Sequence, residues 1–255
     1  MRSEPTIRRR RQGLLVAGGA AVVGAGLLVG LGGGGPDPER APALVRTGCK
    51  PGSEDIATHA TAPDRRVALT FDDGPSSYSP EVLRALRRHG AHATFFVIGD
   101  RILGNEALLE RMVADGHEIG NHSMVHAPSP DSADLADSQR LIEDVSGFRP
   151  CHFRPPGGQV DDALIARARA LEMATVTWSV DTGDWANQDP AAILAGVLAS
   201  VEPGSIILLH DGGGDRSGTA SVTPQLIDQL RERGFELVTV TELFGGSFTL
   251  APVAS

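Results

Sequence analysis

Basic residues are scarce in this 255-residue chain, and lysine is almost missing. Lys and Arg together number 23 against 32 Asp and Glu, a formal net charge of -9, and Lys50 is the single lysine. Nucleic acids are bound through clustered cations that neutralise phosphates, so this balance argues against a nucleic-acid partner. A neutral or cationic substrate fits the charge better.

Cysteine is equally scarce, and the chain contains only Cys49 and Cys151. In an exported protein such a pair is most economically interpreted as one disulfide, which would close a loop of roughly 100 residues and stabilise the fold by up to about 4 to 5 kcal/mol. Two buried thiols are the alternative. We expect the disulfide, because Cys49 lies in a predicted linker that the bond would fasten to the domain.

The amino terminus carries an export or anchoring segment. Residues 1–12 are rich in arginine, and residues 13–31 are 19 residues without a charge. This is the pattern of a signal peptide. Arg10-Arg11 resembles a twin-arginine signal, with a Sec-type signal as the alternative, and the apolar run is also long enough to anchor the chain in a bilayer. The predicted location is therefore outside the cytoplasmic membrane, secreted or anchored on its outer face, with membrane contact only through residues 1–35.

Strand patterns alternate with helical patterns from residue 66 onward, and no internal repeat is visible. The seven predicted strands are 66–71, 93–99, 117–122, 151–157, 174–180, 205–211 and 235–240. The predicted helices are 79–90, 105–116, 132–147, 161–172, 189–201 and 223–234. Ser79 is predicted to cap the first helix, with Pro80 in its first turn.

Strands separated by helices form a parallel sheet. The chain is long enough to bury one substantial core, with 41% hydrophobic residues. We therefore predict an α/β fold, a distorted (β/α)7 barrel that is TIM-barrel-like, as a single domain over residues 64–244. Residues 1–35 are the signal or anchor, 36–63 a linker and 245–255 a carboxyl-terminal tail.

Polar side chains collect where the predicted strands end. They are Asp72 and Asp73, His122 and His126, Arg154, Asp181 and Asp184, and His210. In a parallel barrel the carboxyl ends of the strands open on one face, where catalytic groups collect. Surface charges without a function would scatter over both faces, so this convergence predicts an active site.

Two histidines four residues apart, together with a carboxylate, can bind a metal and leave positions open for water. His122 and His126 alone are weak evidence, because a pair of loop histidines is the common alternative. The adjacent carboxylates Asp72 and Asp73 strengthen the prediction, since one can bind the metal while the other acts as a base. A cation there would also screen their mutual repulsion.

Five ordered motifs resemble those of the polysaccharide deacetylases, carbohydrate esterase family 4, also called the NodB-homology domain. They are TFDDGP (70–75), HSMVH (122–126), RPPGG (154–158), DTGDW (181–185) and LLH (208–210). The resemblance covers about residues 64–244. It implies a distorted (β/α) barrel and a metal-dependent hydrolase that removes acetyl groups from sugar polymers.

The resemblance implies a metal site made by Asp73, His122 and His126. Zn²⁺ is the expected ion, and two imidazoles with one carboxylate would also accept Co²⁺, Ni²⁺ or Fe²⁺.

Catalytic roles follow from the same resemblance. Asp72 would be the general base and His210 the general acid that protonates the leaving amine. Arg154 would hold Asp72 ionised and Asp184 would keep His210 protonated, although an ordinary salt bridge and a helix cap are the structural alternatives. A backbone N–H in the turn at Gly157 would donate to the oxyanion.

The substrate-binding residues implied are Pro156, Gly157, Trp185 and Leu208, with core packing as the alternative for Leu208. Gly157 departs from the family pattern, which commonly has Tyr there, so we expect a wider groove. Asp181 is expected to be structural. The histidines at 59, 89, 92, 117 and 152 are assigned no function.

The predicted protein is a monomer that removes acetyl groups, most simply N-acetyl, from an acetylated glycan such as peptidoglycan or chitin oligomers. The alternatives are an O-acetyl esterase such as an acetylxylan esterase, a small-molecule amide hydrolase, and a glycan-binding domain without activity. The last would be expected to lack the acid or base, yet Asp72 and His210 are both present.

Overall fold

A nine-stranded parallel sheet is the centre of the fold in residues 44–61 and 64–252, the part of the chain that the computed structural model describes. Two more strands pair with each other outside that sheet. In chain order the strands are β1 (Leu44–Lys50), β2 (Ile56–Ala57), β3 (Arg66–Asp72), β4 (Thr94–Val97), β5 (Glu118–Asn121), β6 (His152–Phe153), β7 (Ala174–Val176), β8 (Val180–Asp181), β9 (Ile206–His210), β10 (Glu236–Val238) and β11 (Ser247–Pro252).

Helices separate most of these strands, as the predicted alternation requires. They are α1 (Ser79–Arg88), α2 (Gly99–Ile102), α3 (Glu106–Ala114), α4 (Ser132–Ser146), α5 (Asp162–Ala170), α6 (Pro190–Ser200), α7 (Ser217–Glu232) and α8 (Val240–Leu243). Each of the six predicted helices overlaps one of them. The short helices α2 and α8 were not predicted.

The sheet curls into the distorted (β/α)7 barrel that the sequence predicted. Its strand order is β2-β7-β6-β5-β4-β3-β9-β8, and β10 also pairs with β3. The predicted strand 174–180 is divided between β7 and β8, which lie near opposite ends of this order. Residues 177–179 therefore connect the two ends of the curled sheet through the chain itself.

Alternation along β3 sorts its side chains between two layers. Leu69 and Phe71 belong to the large apolar cluster that also contains buried residues of α1, α3 and α7. Ala68 belongs to a separate cluster inside the barrel. Because side chains in a strand alternate between faces, Thr70 and Asp72 share the inner face with Ala68. The strand thus carries an apolar outer face and a polar inner end.

The predicted linker and tail contain strands that pair with each other. Strand β1 lies antiparallel to β11, with Leu44 opposite Pro252 and Lys50 opposite Ser247. The regions predicted as linker, 36–63, and tail, 245–255, therefore contribute to the folded unit, and the boundaries at 64 and 244 stay a prediction. Most residues of β11 are exposed and most of β1 are partly buried, and neither strand shows the regular alternation of buried apolar and exposed residues that predicts a strand.

One helix cap and one helix start were predicted wrongly, although α1 begins at Ser79 as predicted. The N-cap of α1 is Tyr78, and Ser79 is the first helical residue. The Ser79 hydroxyl donates to the Asp211 carboxylate instead of capping the helix. Helix α7 begins at Ser217, six residues before the predicted start at Thr223, and it continues through Pro224.

The predicted signal or anchor, residues 1–35, lies outside the described residues. In the part of the chain that is described, no helix has the length and apolar character needed to cross a bilayer.

Candidate active site

A cleft of about 420 Å³ opens among the carboxyl ends of the strands. Its lining residues come from β3, β8, β9 and the loops that follow β5, β6 and β7: Asp72, Asp73, His122, His126, Gly157, Trp178, Asp181, Trp185, Leu208 and His210. Sequence analysis had singled out all of them except Trp178. The structure thus brings the predicted catalytic face together in one cavity.

Asp73, His122 and His126 form a compact group of ligand-type atoms. Oδ1 of Asp73 lies 3.4 Å from Nε2 of His122 and 3.2 Å from Nε2 of His126. This oxygen is buried and accepts no hydrogen bond. Nδ1 of His122 lies 2.7 Å from the carbonyl oxygen of Arg154, to which it donates, so Nε2 keeps its lone pair. A buried acceptor without a donor, facing two imidazole nitrogens, fits a divalent cation.

Electrostatics within this group favour the ionised carboxylate. Burial opposes the charge on Asp73, but the close contacts with His122 and His126 outweigh it and hold the pKa of Asp73 well below its usual range. Asp73 is therefore suited to act as an anionic ligand.

The backbone at Asp73 explains why two successive carboxylates can reach one cleft. Neighbouring side chains in a strand point to opposite faces, which would send Asp72 and Asp73 apart. Asp73 instead has φ of 70°, a left-handed conformation that is uncommon for any residue except glycine. Gly213 packs against it so closely that a Cβ there would lie 2.2 Å from Oδ2 of Asp73. The sequence signal for this approach is the glycine run 212–214.

Arg154 holds the Asp72 carboxylate from inside the barrel. Its Nη1 donates to Oδ1 of Asp72 at 2.7 Å and to the Thr70 hydroxyl at 2.8 Å, while Nη2 donates to the Thr177 carbonyl. Arg154 is fully buried and its guanidinium lies 4.1 Å from the ring centre of Phe96. Burial lowers the pKa of Arg154, and the Asp72 charge opposes that effect. The arrangement fixes one oxygen of Asp72 and directs the other, Oδ2, toward His122 at 3.8 Å.

His210 and Asp184 form a second pair on the other side of the cleft. Nδ1 of His210 lies 2.7 Å from Oδ1 of Asp184, and Thr219 donates to Oδ2 of the same carboxylate at 2.7 Å. Burial alone would lower the pKa of His210, but the hydrogen bond to Asp184 and the charge of Asp72 raise it above its usual value. Burial likewise would raise the pKa of Asp184, and the contacts with His210 lower it. The pair therefore favours an imidazolium beside a carboxylate.

Of the remaining predicted residues, some line the cleft and others only support the backbone around it. Trp185 is 59% exposed at the rim and Leu208 is 3% exposed at the base. Gly157 has φ of 71°, with no atom within 4 Å of the position a Cβ would take. Pro156 is buried in a 3₁₀ turn and does not line the cleft. Asp181 accepts from the Gly183 N–H at 2.9 Å, a turn contact, and also lines the cleft.

Two residues near the site were missed by the sequence analysis. Trp178 lines the cleft and lies against Gly158, where a Cβ would come within 2.4 Å of its ring. Alternation in the predicted strand 174–180 could have found it, because Trp178 shares the inner face with Val176. Asp211 is fully buried, and burial raises its pKa to about 7. No local pattern distinguishes it from the exposed Asp residues of other loops.

The sequence and the fold both resemble known proteins. The polysaccharide deacetylase family model matches residues 59–176. A peptidoglycan-N-acetylglucosamine deacetylase of Bacillus cereus is 40% identical over 188 residues, which span 71% of this chain and 88% of the relative.

Solved structures agree with this match. One of a peptidoglycan N-acetylglucosamine deacetylase superposes with a TM-score of 0.73 and 30% identity, over 76% of this chain and 94% of the other. A family 4 acetyl xylan esterase from Clostridium thermocellum, solved with a cobalt ion, superposes with a TM-score of 0.66 and 34% identity, over 70% of this chain and 90% of the other. With five ordered motifs meeting in one cleft, the chain belongs to the polysaccharide deacetylases, the hydrolases of carbohydrate esterase family 4.

Proposed function

We propose that this protein is a metal-dependent deacetylase that removes N-acetyl groups from an acetylated glycan outside the cell membrane. The proposal rests on three groups of side chains that meet in or beside one cleft. These are a group of metal-ligating atoms, a carboxylate held by a buried arginine, and a histidine held by a buried aspartate. Together they match what hydrolysis of an amide requires.

Asp73, His122 and His126 would hold the metal, with Zn²⁺ as the expected ion and Co²⁺, Ni²⁺ or Fe²⁺ as alternatives. When bound, the cation polarises the acetyl carbonyl and makes a water molecule more acidic. Only three protein ligands are proposed, which leaves coordination positions for water and substrate.

Asp72 acts as the general base in this proposal. Arg154 occupies its Oδ1, so Oδ2, on the His122 side, is free to take a proton from the attacking water. Because Arg154 is buried and bonded to the Thr70 hydroxyl and the Thr177 carbonyl, it holds the carboxylate in a fixed orientation. The N–H of Gly157, on the cleft wall, would donate to the oxyanion that forms at the acetyl carbon.

His210 acts as the general acid. Its Nδ1 is occupied by Asp184, so Nε2 is left to give a proton to the sugar nitrogen as the C–N bond breaks. An amine is a poor leaving group unless it is protonated, and the raised pKa of His210 keeps the donor form populated near neutral pH. Asp184 would thus act through His210 and not on the substrate.

An N-acetylated cell-wall glycan is the proposed substrate class. The Bacillus cereus relative is named for peptidoglycan N-acetylglucosamine, and another relative, from Bradyrhizobium, is a chitooligosaccharide deacetylase. Trp185 and Trp178 provide aromatic faces against which a sugar ring can pack. The similarity to an acetyl xylan esterase favours O-acetyl ester hydrolysis as the second candidate.

Export through residues 1–35, a disulfide in the mature protein and a monomeric state belong to the same proposal. Cys49 and Cys151 are paired as this disulfide, and disulfides are typical of exported proteins.

Acetate release by the purified protein tests the proposal. The substrates are peptidoglycan, chitin oligomers and acetylated xylan, each with metal-stripped protein and with added Zn²⁺. We expect zinc-dependent release from the first two and little from xylan. Release that does not change on metal removal and restoration would contradict the mechanism, and preference for xylan would support the esterase instead.

A further inference from the structure

A second group of metal-ligating side chains lies at the amino-terminal ends of the strands, away from the cleft. It consists of Cys49 in β1, Glu118 at the start of β5, Cys151 and His152 at the start of β6. One ligand atom from each lies within 4.8 Å of all the others. Glu118, His152 and Cys151 are 0%, 1% and 2% exposed. Nothing in the proposed deacetylation uses any of them.

Apart from the two sulfurs, which are bonded to each other here and would have to separate, the spacing of these atoms is close to that of a tetrahedral zinc site. With Zn–S near 2.3 Å and Zn–N or Zn–O near 2.0 to 2.2 Å, neighbouring ligand atoms are separated by about 3.5 Å. Sγ of Cys151 lies 3.6 Å from Nδ1 of His152, and Sγ of Cys49 lies 3.8 Å from Oε1 of Glu118. Nδ1 of His152 and Oε1 of Glu118 are 2.6 Å apart, a hydrogen bond that would open by less than about 1 Å around an ion.

Glu118 is already oriented and charged as a ligand. Thr94 and the Thr241 N–H each donate to its Oε2 at 3.0 Å, so Oε1 is the oxygen that faces His152 and the sulfurs. Burial opposes its charge, but His152 and the hydrogen bonds from Thr241 hold the pKa of Glu118 below its usual value. Such hydrogen bonds to a ligating carboxylate are the support that metal sites require.

Oxidation decides whether this group can bind a metal, because a thiolate is a ligand and a disulfide sulfur is a poor one. We propose that the reduced chain binds one zinc ion through Cys49, Cys151, His152 and Glu118, and that the disulfide replaces this ion when the protein is oxidised. Cys49 and Cys151 then link β1 to the barrel in both redox states, through the ion when reduced and through the disulfide when oxidised.

The exchange balances with a dithiol as reductant. The dithiol gives two electrons to the Cys49–Cys151 bond and becomes a disulfide, and its two protons pass to solvent as the two cysteines bind zinc as thiolates. The two thiolate charges offset the cation, so the site keeps the single negative charge that Glu118 already carries. His152 becomes a ligand by moving its proton from Nδ1 to Nε2.

A metal cross-link would matter before the protein reaches an oxidising compartment. Cys49 and Cys151 are 102 residues apart in sequence, and Cys49 lies in the outer strand β1. Disulfides do not persist in a reducing cytoplasm. Zinc binding adds directly to folding free energy, so the ion would fasten β1 where the disulfide cannot.

Cobalt spectroscopy tests the site, since thiolate ligands give Co²⁺ a near-ultraviolet charge-transfer band that the thiol-free cleft cannot produce. The full chain is used with His126→Ala, which weakens the cleft site. One sample is reduced by a dithiol and desalted without oxygen, and the other stays oxidised. We expect the band only in the reduced sample, and one more zinc per chain than in the oxidised sample by elemental analysis. No band, together with equal zinc counts, would overturn the proposal.

Two variants identify the ligands. Cys49→Ser combined with Cys151→Ser should abolish the band, and a band that persists would place the thiolate ligation elsewhere. His152→Ala keeps both thiols and should weaken cobalt binding at least about tenfold. Unchanged affinity in that variant would show that the thiols bind without the histidine, which contradicts the proposed site. Acetate release is not a readout of this site, because His126→Ala already weakens the cleft and none of the four proposed ligands lines it.

Discussion

Two buried histidine–carboxylate pairs lie at opposite ends of the same barrel. At the carboxyl ends of the strands, Nδ1 of His210 is 2.7 Å from Asp184, and at the amino ends Nδ1 of His152 is 2.6 Å from Glu118. The hydrogen-bond geometry is nearly the same. The His210 side chain keeps 12% of its surface exposed, whereas His152 keeps 2%. The first can therefore meet a substrate, and the second can meet only its protein neighbours.

The surroundings of the two pairs differ as much as their exposure. His210 shares the cleft with Asp72 and the proposed metal ligands, so a proton it gives up can be used there. His152 faces two sulfurs and a carboxylate that is held by threonines. The role of a His–carboxylate pair therefore depends on its position in the barrel. We assign the proposed catalysis to the pair at the carboxyl ends of the strands, the open edge, and the proposed cross-link to the buried pair at the amino ends, the sealed edge.

The largest effect should come from removing the base at the open edge. Asp72→Asn keeps the size of the side chain and a hydrogen-bond acceptor for Arg154 but cannot take a proton from water. We expect kcat to fall by about 10²- to 10⁴-fold while one bound zinc is retained, as measured by acetate release and elemental analysis. Activity near the wild-type value would remove Asp72 from the mechanism, and lost zinc would show that it is a ligand.

Breaking the pair at the sealed edge should reduce stability and leave catalysis intact. His152→Phe leaves the buried Glu118 carboxylate without its hydrogen bond from His152, which costs about 1 to 3 kcal/mol in the free energy of unfolding measured with urea. The folded variant should keep the wild-type kcat. Combining it with Glu118→Leu removes the uncompensated charge and should recover part of the loss. A large fall in kcat with unchanged stability would contradict the division between the two edges.

Weakening the open pair should change the pH dependence of the reaction. Asp184 helps to raise the pKa of His210, so the acid form persists to higher pH than in a free histidine. In Asp184→Asn this pKa falls, and the alkaline side of the kcat profile should move to lower pH, with about a tenfold or greater loss near pH 8.

Thr219→Val is the matched control for this change, because it removes one hydrogen bond from Asp184 but leaves the charge. Its profile should move less. An unshifted profile in Asp184→Asn would mean that His210 is not the group that limits the reaction at high pH. The raised pKa of His210 also makes folding stability depend on pH in the same direction. The contribution of the pair is complete below the unfolded pKa of His210 and is lost as pH rises through the folded value.

The smallest effect should come from the cleft wall at Gly157. A Tyr there has open space, since no atom lies within 4 Å of its Cβ, but φ of 71° should cost about 1 to 2 kcal/mol. Gly157→Ala carries the same backbone strain without the ring and is the control. We expect a several-fold change in preference among acetylated sugars for Tyr relative to Ala. Equal preferences in the two variants would show that this wall does not contact the substrate.

The sequence predicted the elements that depend on local periodicity. The six long helices and every strand of the parallel sheet except β2 were identified from alternation and helical spacing, and the inner face of β3 follows from the same rule. Asp72, His122, Arg154 and His210 were placed at strand ends for that reason. Periodicity could not reveal β1 and β11, since their pairing joins residues about 200 positions apart and neither strand alternates regularly between buried and exposed residues.

The chemical groups that the barrel presents could be identified from the chain alone, because their order and spacing along the strands are local properties. How these groups meet depends on the folded structure. The left-handed turn at Asp73 brings two neighbouring carboxylates into one cleft, and burial separates an open histidine pair from a sealed one. Both outcomes depend on packing against residues distant in sequence, and no local pattern encodes such contacts.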